Sequence, residues 1–271
     1  VTTLRDVIEY AHQLWPLSGA ESWDTPGLVT GNLDQPIRRI LLCVDAVAST
    51  VDQAIEMESD LLLAHHPLLM RGVTTVNEHA YKGKLVTKLI RGNVALLAAH
   101  TNADVVENGV SDVIASALGL TSVTPITAGN TPGTGIGRVG DLSQPVSLGT
   151  LARTLAELLP ATAGGIKVSG AFNQNVQRVA LCGGAGDSLL SEPAVTAADV
   201  YITSDLRHHP AQEAREQALL TAGPALIDVS HWASEWLWLD TAAQQLQAQF
   251  PEIDVEVSDL RTDPWDFVVV Q

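Results

Sequence analysis

Apolar positions along this chain recur with two alternating periods. Leu4, Val7, Ile8, Ala11, Leu14 and Trp15 follow helical spacing behind Thr3, a residue type that caps helices, and Pro16 ends the run. Residues 37–45 read as a strand, 49–58 as a helix and 61–64 as a buried strand. Residues 82–91 read as a helix ending near Gly92, 94–99 as the next buried strand, and 109–118 as a helix stopped by Gly119. Strands that alternate with helices of about ten residues predict parallel βαβ units, an α/β fold.

The pattern changes over 121–144, which is rich in Gly, Thr and Pro and has no helical period. That stretch is expected to lead into a second lobe. Beyond it come a helix at 148–159, a strand at 176–181, the glycine turn Gly183-Gly184-Ala185-Gly186, a further helix, a strand at 200–203 and a helix at 212–222. There is a faint internal echo: Arg39-Ile40-Leu41-Leu42-Cys43 resembles Arg178-Val179-Ala180-Leu181-Cys182. Asp60 with His65-His66-Pro67 resembles Asp199 with His208-His209-Pro210, although the second histidine pair is set four residues later.

Three apolar runs end in chemistry. The run 61–64 stops at His65-His66-Pro67. The run 94–99 stops at His100-Thr101-Asn102-Ala103-Asp104, and 225–229 stops at Ser230-His231-Trp232-Ala233-Ser234-Glu235. Open α/β sheets bind ligands at the carboxyl ends of their strands. A lone histidine there is usually a satisfied polar group. Three such ends, two with a carboxylate at i+4, point to a metal site. Neighbouring side chains on a strand face opposite ways, so His65 and His66 suit two different ions. His231 and Glu235 share a helix face, and so do His100 and Asp104 if that segment is helical. One ion is then expected on His65 and Asp104 and the other on His66 and His231, with Glu235 bridging. His100 is either an extra ligand or a group orienting Asp104. A dinuclear centre of this kind activates water for hydrolysis. Imidazole with carboxylate suits Zn, Fe, Mn, Co or Ni.

This ligand set carries an architectural consequence. Glu235 can join His65 and His66 only if the chain returns to its first lobe, giving a discontinuous domain (1–125 plus 227–271) around a second lobe (126–226).

Composition narrows the classes of function. With 46% hydrophobic and 17% charged residues the chain is globular. No apolar run reaches about 18 residues and no signal-peptide layout is present, so a soluble cytoplasmic protein without a membrane partner is expected. The net charge of −16 disfavours nucleic acid as a partner. Cys43 and Cys182 read as buried free thiols. His12 and His79 read as ordinary surface or core histidines. Gly135-Ile136-Gly137-Arg138-Val139-Gly140 has the spacing of a dinucleotide fingerprint but neither the preceding strand nor the following helix, so a tight turn into a strand is expected instead. Trp232 is a candidate for stacking a planar substrate, while Trp236 and Trp238 read as core or interface aromatics. Asp205, His208 and His209 are candidates for substrate contact or proton shuttling.

With Trp23-Asp24-x-x-Gly27-Leu28, the three histidine blocks, Gly135-x-Gly137-Arg138-x-Gly140 and Thr203-Ser204-Asp205 with His209, the chain resembles the Nif-three-like family of dinuclear metal proteins, the GTP cyclohydrolase 1 type 2 homologues. The resemblance spans nearly the whole chain. It implies two interlinked α/β lobes and a homohexamer built as a trimer of dimers. It places the metal ligands on His65, His66, Asp104, His231 and Glu235. Too few residues separate Gly140 from Leu148 for the inserted domain of longer members, so the chain resembles the short form. The family name implies hydrolytic opening of the guanine imidazole ring of GTP, with formate release by a metal-bound hydroxide. Glu235, His100 and His209 are then the candidate catalytic residues, and GTP or another nucleotide the expected small-molecule substrate. The alternative is a non-enzymatic ring-shaped assembly in which the metals are structural or sensory.

Overall fold

The computed structural model describes residues 1–270. The elements are α1 (Leu4–Leu14), β1 (Gly27–Thr30), β2 (Arg39–Asp45), α2 (Ala48–Glu56), β3 (Leu61–His66), α3 (Tyr81–Arg91), β4 (Ala95–Ala98) and α4 (Thr101–Asp104). There follow α5 (Val110–Ala117), β5 (Thr121–Thr124), β6 (Thr127–Ala128), β7 (Gly135–Ile136), β8 (Arg138–Ser147), α6 (Leu148–Leu158), β9 (Lys167–Ser169) and β10 (Asn175–Ala185). The chain continues through α7 (Pro193–Thr196), β11 (Val200–Ser204), α8 (His208–Thr221), β12 (Ala225–Val229), α9 (His231–Gln249) and β13 (Asp254–Val257). The fold is α/β, as the alternation of strand and helix predicts. Among the described residues no helix is long and apolar enough to cross a membrane.

The chain divides into two compact units, each assembled from two stretches. One comprises 1–103 and 239–262, the other 104–238 and the segment from Asp263 on. The first holds a five-stranded sheet in the order β1-β4-β3-β2-β13, parallel except for β1. Strands β2, β3 and β4 are almost wholly buried, which is why they read as unbroken apolar runs. The second unit holds a six-stranded sheet in the order β5-β8-β10-β11-β12-β9, with β10, β11 and β12 parallel. Its core gathers Val139, Ala180, Tyr201 and Leu226 with Val195 of α7.

These divisions differ from the expected boundaries at 125/126 and 226/227. β5 pairs with β8, and β12 sits inside the six-stranded sheet, so sheet pairing draws 104–125 and 227–238 into the second unit. The 121–144 stretch, which lacks a helical period, contains β5, the β6–β7 hairpin and the first part of β8; β5, β6 and β7 are too short to show a period. Its glycine motif serves the turn into β8. Gly137 has φ +63°, and a Cβ there would lie 2.9 Å from the Leu181 carbonyl oxygen. Next to it, Arg138 is only 2% exposed, with its guanidinium donating four hydrogen bonds. It donates to Asp112 Oδ1 and to the carbonyls of Gly135, Gly137 and Val106. A buried guanidinium is tolerable only with such partners.

The sequence echo corresponds to a repeated structural device. Asp60, just before β3, accepts the N–H groups of Arg38 (2.7 Å) and Arg39 (3.1 Å) through Oδ2. Its own N–H donates to the Arg39 carbonyl, and its carbonyl receives the Ala95 N–H. Asp199, just before β11, does the same with Gln177 and Arg178 (2.8 Å each), the Arg178 carbonyl and the Ala225 N–H. Ile40 pairs with Leu61, and Val179 with Val200, at the same step. Counting up from these pairs, His65 and His66 correspond to Ser204 and Asp205. His208 and His209 lie beyond the strand, on the first turn of α8, which begins four residues earlier than the apolar pattern indicates.

Replacing Asp60 by Ala removes two charge-assisted bonds and is expected to cost about 2–3 kcal/mol. The urea midpoint should fall with no change in m-value. An unchanged midpoint would show that Asp60 does not pin the strand starts.

Candidate metal centre

The first unit brings three imidazoles together at the carboxyl ends of β3 and β4. His65 and His66 close β3, and His100 follows β4. Ring centroids are 5.1 Å apart for His65–His66 and 5.4 Å for each of their pairings with His100. One ring nitrogen from each residue lies within 4.8 Å of the other two, so this buried group can hold a metal ion. Strand alternation does not splay His65 and His66 apart as expected, because they are the last residues of β3 and their rings turn toward each other.

Each ring is held by its Nδ1. His65, fully buried, has Nδ1 2.8 Å from the Ala99 carbonyl oxygen. A carbonyl can only accept, so Nδ1 carries the proton and Nε2 the lone pair. His66 Nδ1 lies 2.7 Å from Asp45 Oδ1, and β2–β3 register sets Asp45 directly beside His66. His100 Nδ1 lies 3.0 Å from Asp24 Oδ2, which also accepts from Thr101 Oγ1 (2.6 Å) and Thr101 N–H (3.2 Å). Burial alone would raise the Asp24 carboxyl; the bonds from Thr101 and His100 outweigh it and hold the carboxyl below its usual range. Burial pushes His100 down to about 4, helped by its neighbour His65 and opposed by Asp24. His100 is therefore neutral at physiological pH.

The second unit presents the other donor set. Ser230 caps α9, its Oγ accepting the Ala233 N–H and donating to Asp263. His231 and Glu235 then stand one turn apart on α9, as i, i+4 spacing predicts. His231 Nδ1 lies 2.7 Å from Asp205 Oδ2. The bond from His231 holds the Asp205 carboxyl below its usual range against the effect of burial. His231 Nε2 lies 3.0 Å from Glu235 Oε1. With the Nδ1 proton committed to Asp205, this contact sets a nitrogen lone pair against a carboxylate oxygen unless a proton or a cation lies there. Asp104 ends α4, and its charge ranks after burial among the effects that push the buried Cys182 thiol up to about 12.

The residues fit a divalent ion on two grounds. All four imidazoles donate Nδ1–H to a carboxylate or carbonyl, the arrangement that orients metal-ligating histidines. Space is also reserved at the donors. Gly184, at φ +68°, abuts the second set, where a Cβ would lie 2.5 Å from Glu235 Oε1 and 3.2 Å from His231 Nε2. Ser234 Oγ accepts the Gly184 N–H (2.9 Å) and donates to the His231 carbonyl, fixing this glycine against α9.

A profile of the family Duf34/NIF3 (NGG1p interacting factor 3) matches residues 2–264. The chain belongs to the Duf34/NIF3 family. A GTP cyclohydrolase 1 type 2 homolog of Streptomyces coelicolor is 44% identical over 97% of this chain and 93% of its own length. One from Mycobacterium leprae is 33% identical over 97% of this chain and 95% of its own. That alignment spans 371 positions against a chain of 271, so the mycobacterial Duf34/NIF3 protein carries a long insertion that this short form lacks. Among solved structures, a hypothetical protein of Staphylococcus aureus superposes with TM-score 0.88 at 27% identity, covering 98% of this chain and 99% of its own. The Bacillus cereus protein related to NIF3 gives 0.87 at 23% identity over 99% and 100%.

Of the predicted site residues, His65, His66 and His100 converge in the first unit, and His231 pairs with Glu235 in the second. His209 is exposed on the first turn of α8, its ring 5.2 Å from that of His208. Trp232 is buried, so it offers no stacking face, and Trp238 is completely enclosed. Sequence reasoning assigned no role to Asp45 and did not connect Asp24 or Asp205 with His100 or His231. Asp24 lies in a quoted motif, but only the fold brings it to His100.

Two outcomes test this reading. Asp205→Ala should weaken divalent-metal binding about 10- to 100-fold in a competition titration; wild-type affinity would show that Asp205 does not orient His231. The second concerns pH. The unfolded chain protonates His100 near pH 6.5 and the folded chain only near 4, so between these values the unfolded state binds more protons. Chelator-treated protein should lose roughly 3 kcal/mol through this group as pH falls across that window. His100→Asn should flatten that loss in urea titrations at pH 7 and 4.5, and equal slopes would refute it.

Proposed function

We propose that this Duf34/NIF3 protein is a dinuclear metal-dependent hydrolase acting on a nucleotide, in the manner that the relatives' name, GTP cyclohydrolase 1 type 2 homolog, suggests. The supporting observation is the shared orientation of the imidazoles: His65, His66, His100 and His231 all commit Nδ1–H to an acceptor and keep Nε2 as the coordinating atom.

In this proposal His65, His66, Asp104, His231 and Glu235 hold two divalent ions. Bound ions of this type lower the pKa of a water and polarise the bond to be cut. The chain's own residues prepare that chemistry. Ala99, Asp45, Asp24 and Asp205 fix the imidazole tautomers, so no reorganisation is needed on binding. Glu235 is buried beside His231 and offers the carboxylate that can take a proton from water or bridge cations. His100, kept neutral by burial, offers a base beside the first pair. Opening a guanine imidazole ring needs a nucleophile at C8 and a proton for the departing nitrogen, and the neutral His100 imidazole, outside the proposed ligand set, can take a proton from water and pass it on.

The test joins metal analysis to a hydrolysis screen of purified protein on GTP, other nucleotides, esters and phosphates. Wild type should contain about two metals per chain and turn over a nucleotide. Glu235→Gln should retain its fold by circular dichroism while losing at least about 100-fold in turnover. Metal-replete protein inert on the whole panel would sink the hydrolase reading and favour a non-enzymatic metal-binding role.

A further inference from the structure

We propose that Trp23 is a stacking platform that admits a flat heteroaromatic ring next to the histidine cluster of the first unit. As a choice of substrate class, this rests on the hydrolase reading above. As a binding claim, it stands on its own geometry.

Trp23 is 60% exposed, whereas Trp15, Trp232 and Trp238 are buried. The indole stands on a braced turn. The neighbouring Asp24 side chain is 1% exposed. It accepts from His100 Nδ1, Thr101 Oγ1, the Thr101 N–H and the Thr25 N–H. The Glu21 N–H donates to Thr101 Oγ1 (3.0 Å), and the Asp24 N–H donates to the Glu21 carbonyl (2.9 Å). The residues on either side of the indole are thus tied to the segment that carries His100.

The indole meets the His100 ring at 5.8 Å between centroids and 76° between planes, an edge-to-face contact. This contact orients the indole and leaves most of its surface exposed. His100 in turn touches His65 and His66 at 5.4 Å. A ring laid on Trp23 would therefore sit one aromatic contact away from the imidazoles. Indole–heterocycle stacking is tolerant of ring identity, since every base has a π-face. The predicted ligand class is accordingly purines, pterins and related flat heterocycles, with discrimination among them left to polar contacts. Trp23 touches no reacting atom in this scheme; it sets specificity by position.

The experiment is calorimetric titration of wild type, Trp23→Ala and Trp23→Phe with guanosine, adenosine, a pterin and, as a ringless control, inorganic triphosphate. Metal content and sedimentation are measured on each variant. Trp23→Ala should weaken heterocycle binding about 5- to 150-fold, and Trp23→Phe should restore most of it. Triphosphate affinity, metal content and oligomeric state should not move. The proposal is overturned if the alanine variant binds heterocycles as wild type does, if triphosphate weakens in parallel, if no heterocycle binds wild type, or if Trp23→Ala alters the oligomeric state and so marks an interface residue. Heterocycle binding that depends on Trp23 in a protein with no turnover would retain the platform and reject the hydrolase.

Discussion

One carboxylate at the foot of each sheet governs what arrives at its top. Asp60 ties the starts of β2, β3 and β4 together through their backbone groups, and Asp199 does so for β10, β11 and β12. Strand side chains alternate with a period of two, so a slip of one residue would turn every side chain to the other face. With the starts aligned, Asp45 falls beside His66, and Ala64 beside Ala98 just before His100. The donors need no local device to find one another. Their convergence follows from equal strand counts measured from a common origin.

This explains which parts of the molecule the sequence discloses. Buried parallel strands are continuous apolar runs, and the polar residues that end them stand out, so His65, His66, His100 and His231 were legible. Their i+4 carboxylates were legible because helical spacing is local. The groups that hold the rings were not. Asp24 is 76 residues from His100, Asp205 is 26 from His231, and Ala99 contributes only a backbone oxygen to His65. No periodic pattern encodes such pairings. β5, β6 and β7 were hidden for another reason: two to four residues are too few to display alternation. Trp232 misled because a tryptophan beside a histidine looks like a platform until burial is known.

The duplicated framework also shows how one scaffold supports two chemistries. At corresponding strand ends the first unit carries His65-His66 and the second Ser204-Asp205. The first copy places electron-pair donors on the strand itself. The second places there a carboxylate that orients a donor on the following helix, His231. The glycine-rich turn after β10 complements that choice, since Gly184 leaves room where any side chain would meet His231 and Glu235.

The outermost parallel strand of the first sheet sets a timetable. β13 pairs with β2, and 215 residues separate Asp254 from its partner Arg39. At ~5–20 residues per second, a ribosome needs about 10–40 s to make that distance. Throughout that interval the nascent chain carries β2 with one backbone edge open, a template for wrong pairing. The whole second sheet is synthesised before the first is complete. Birth order and folding order are therefore inverted at this edge, and the cell has to shelter a half-finished sheet while the rest of the protein is made.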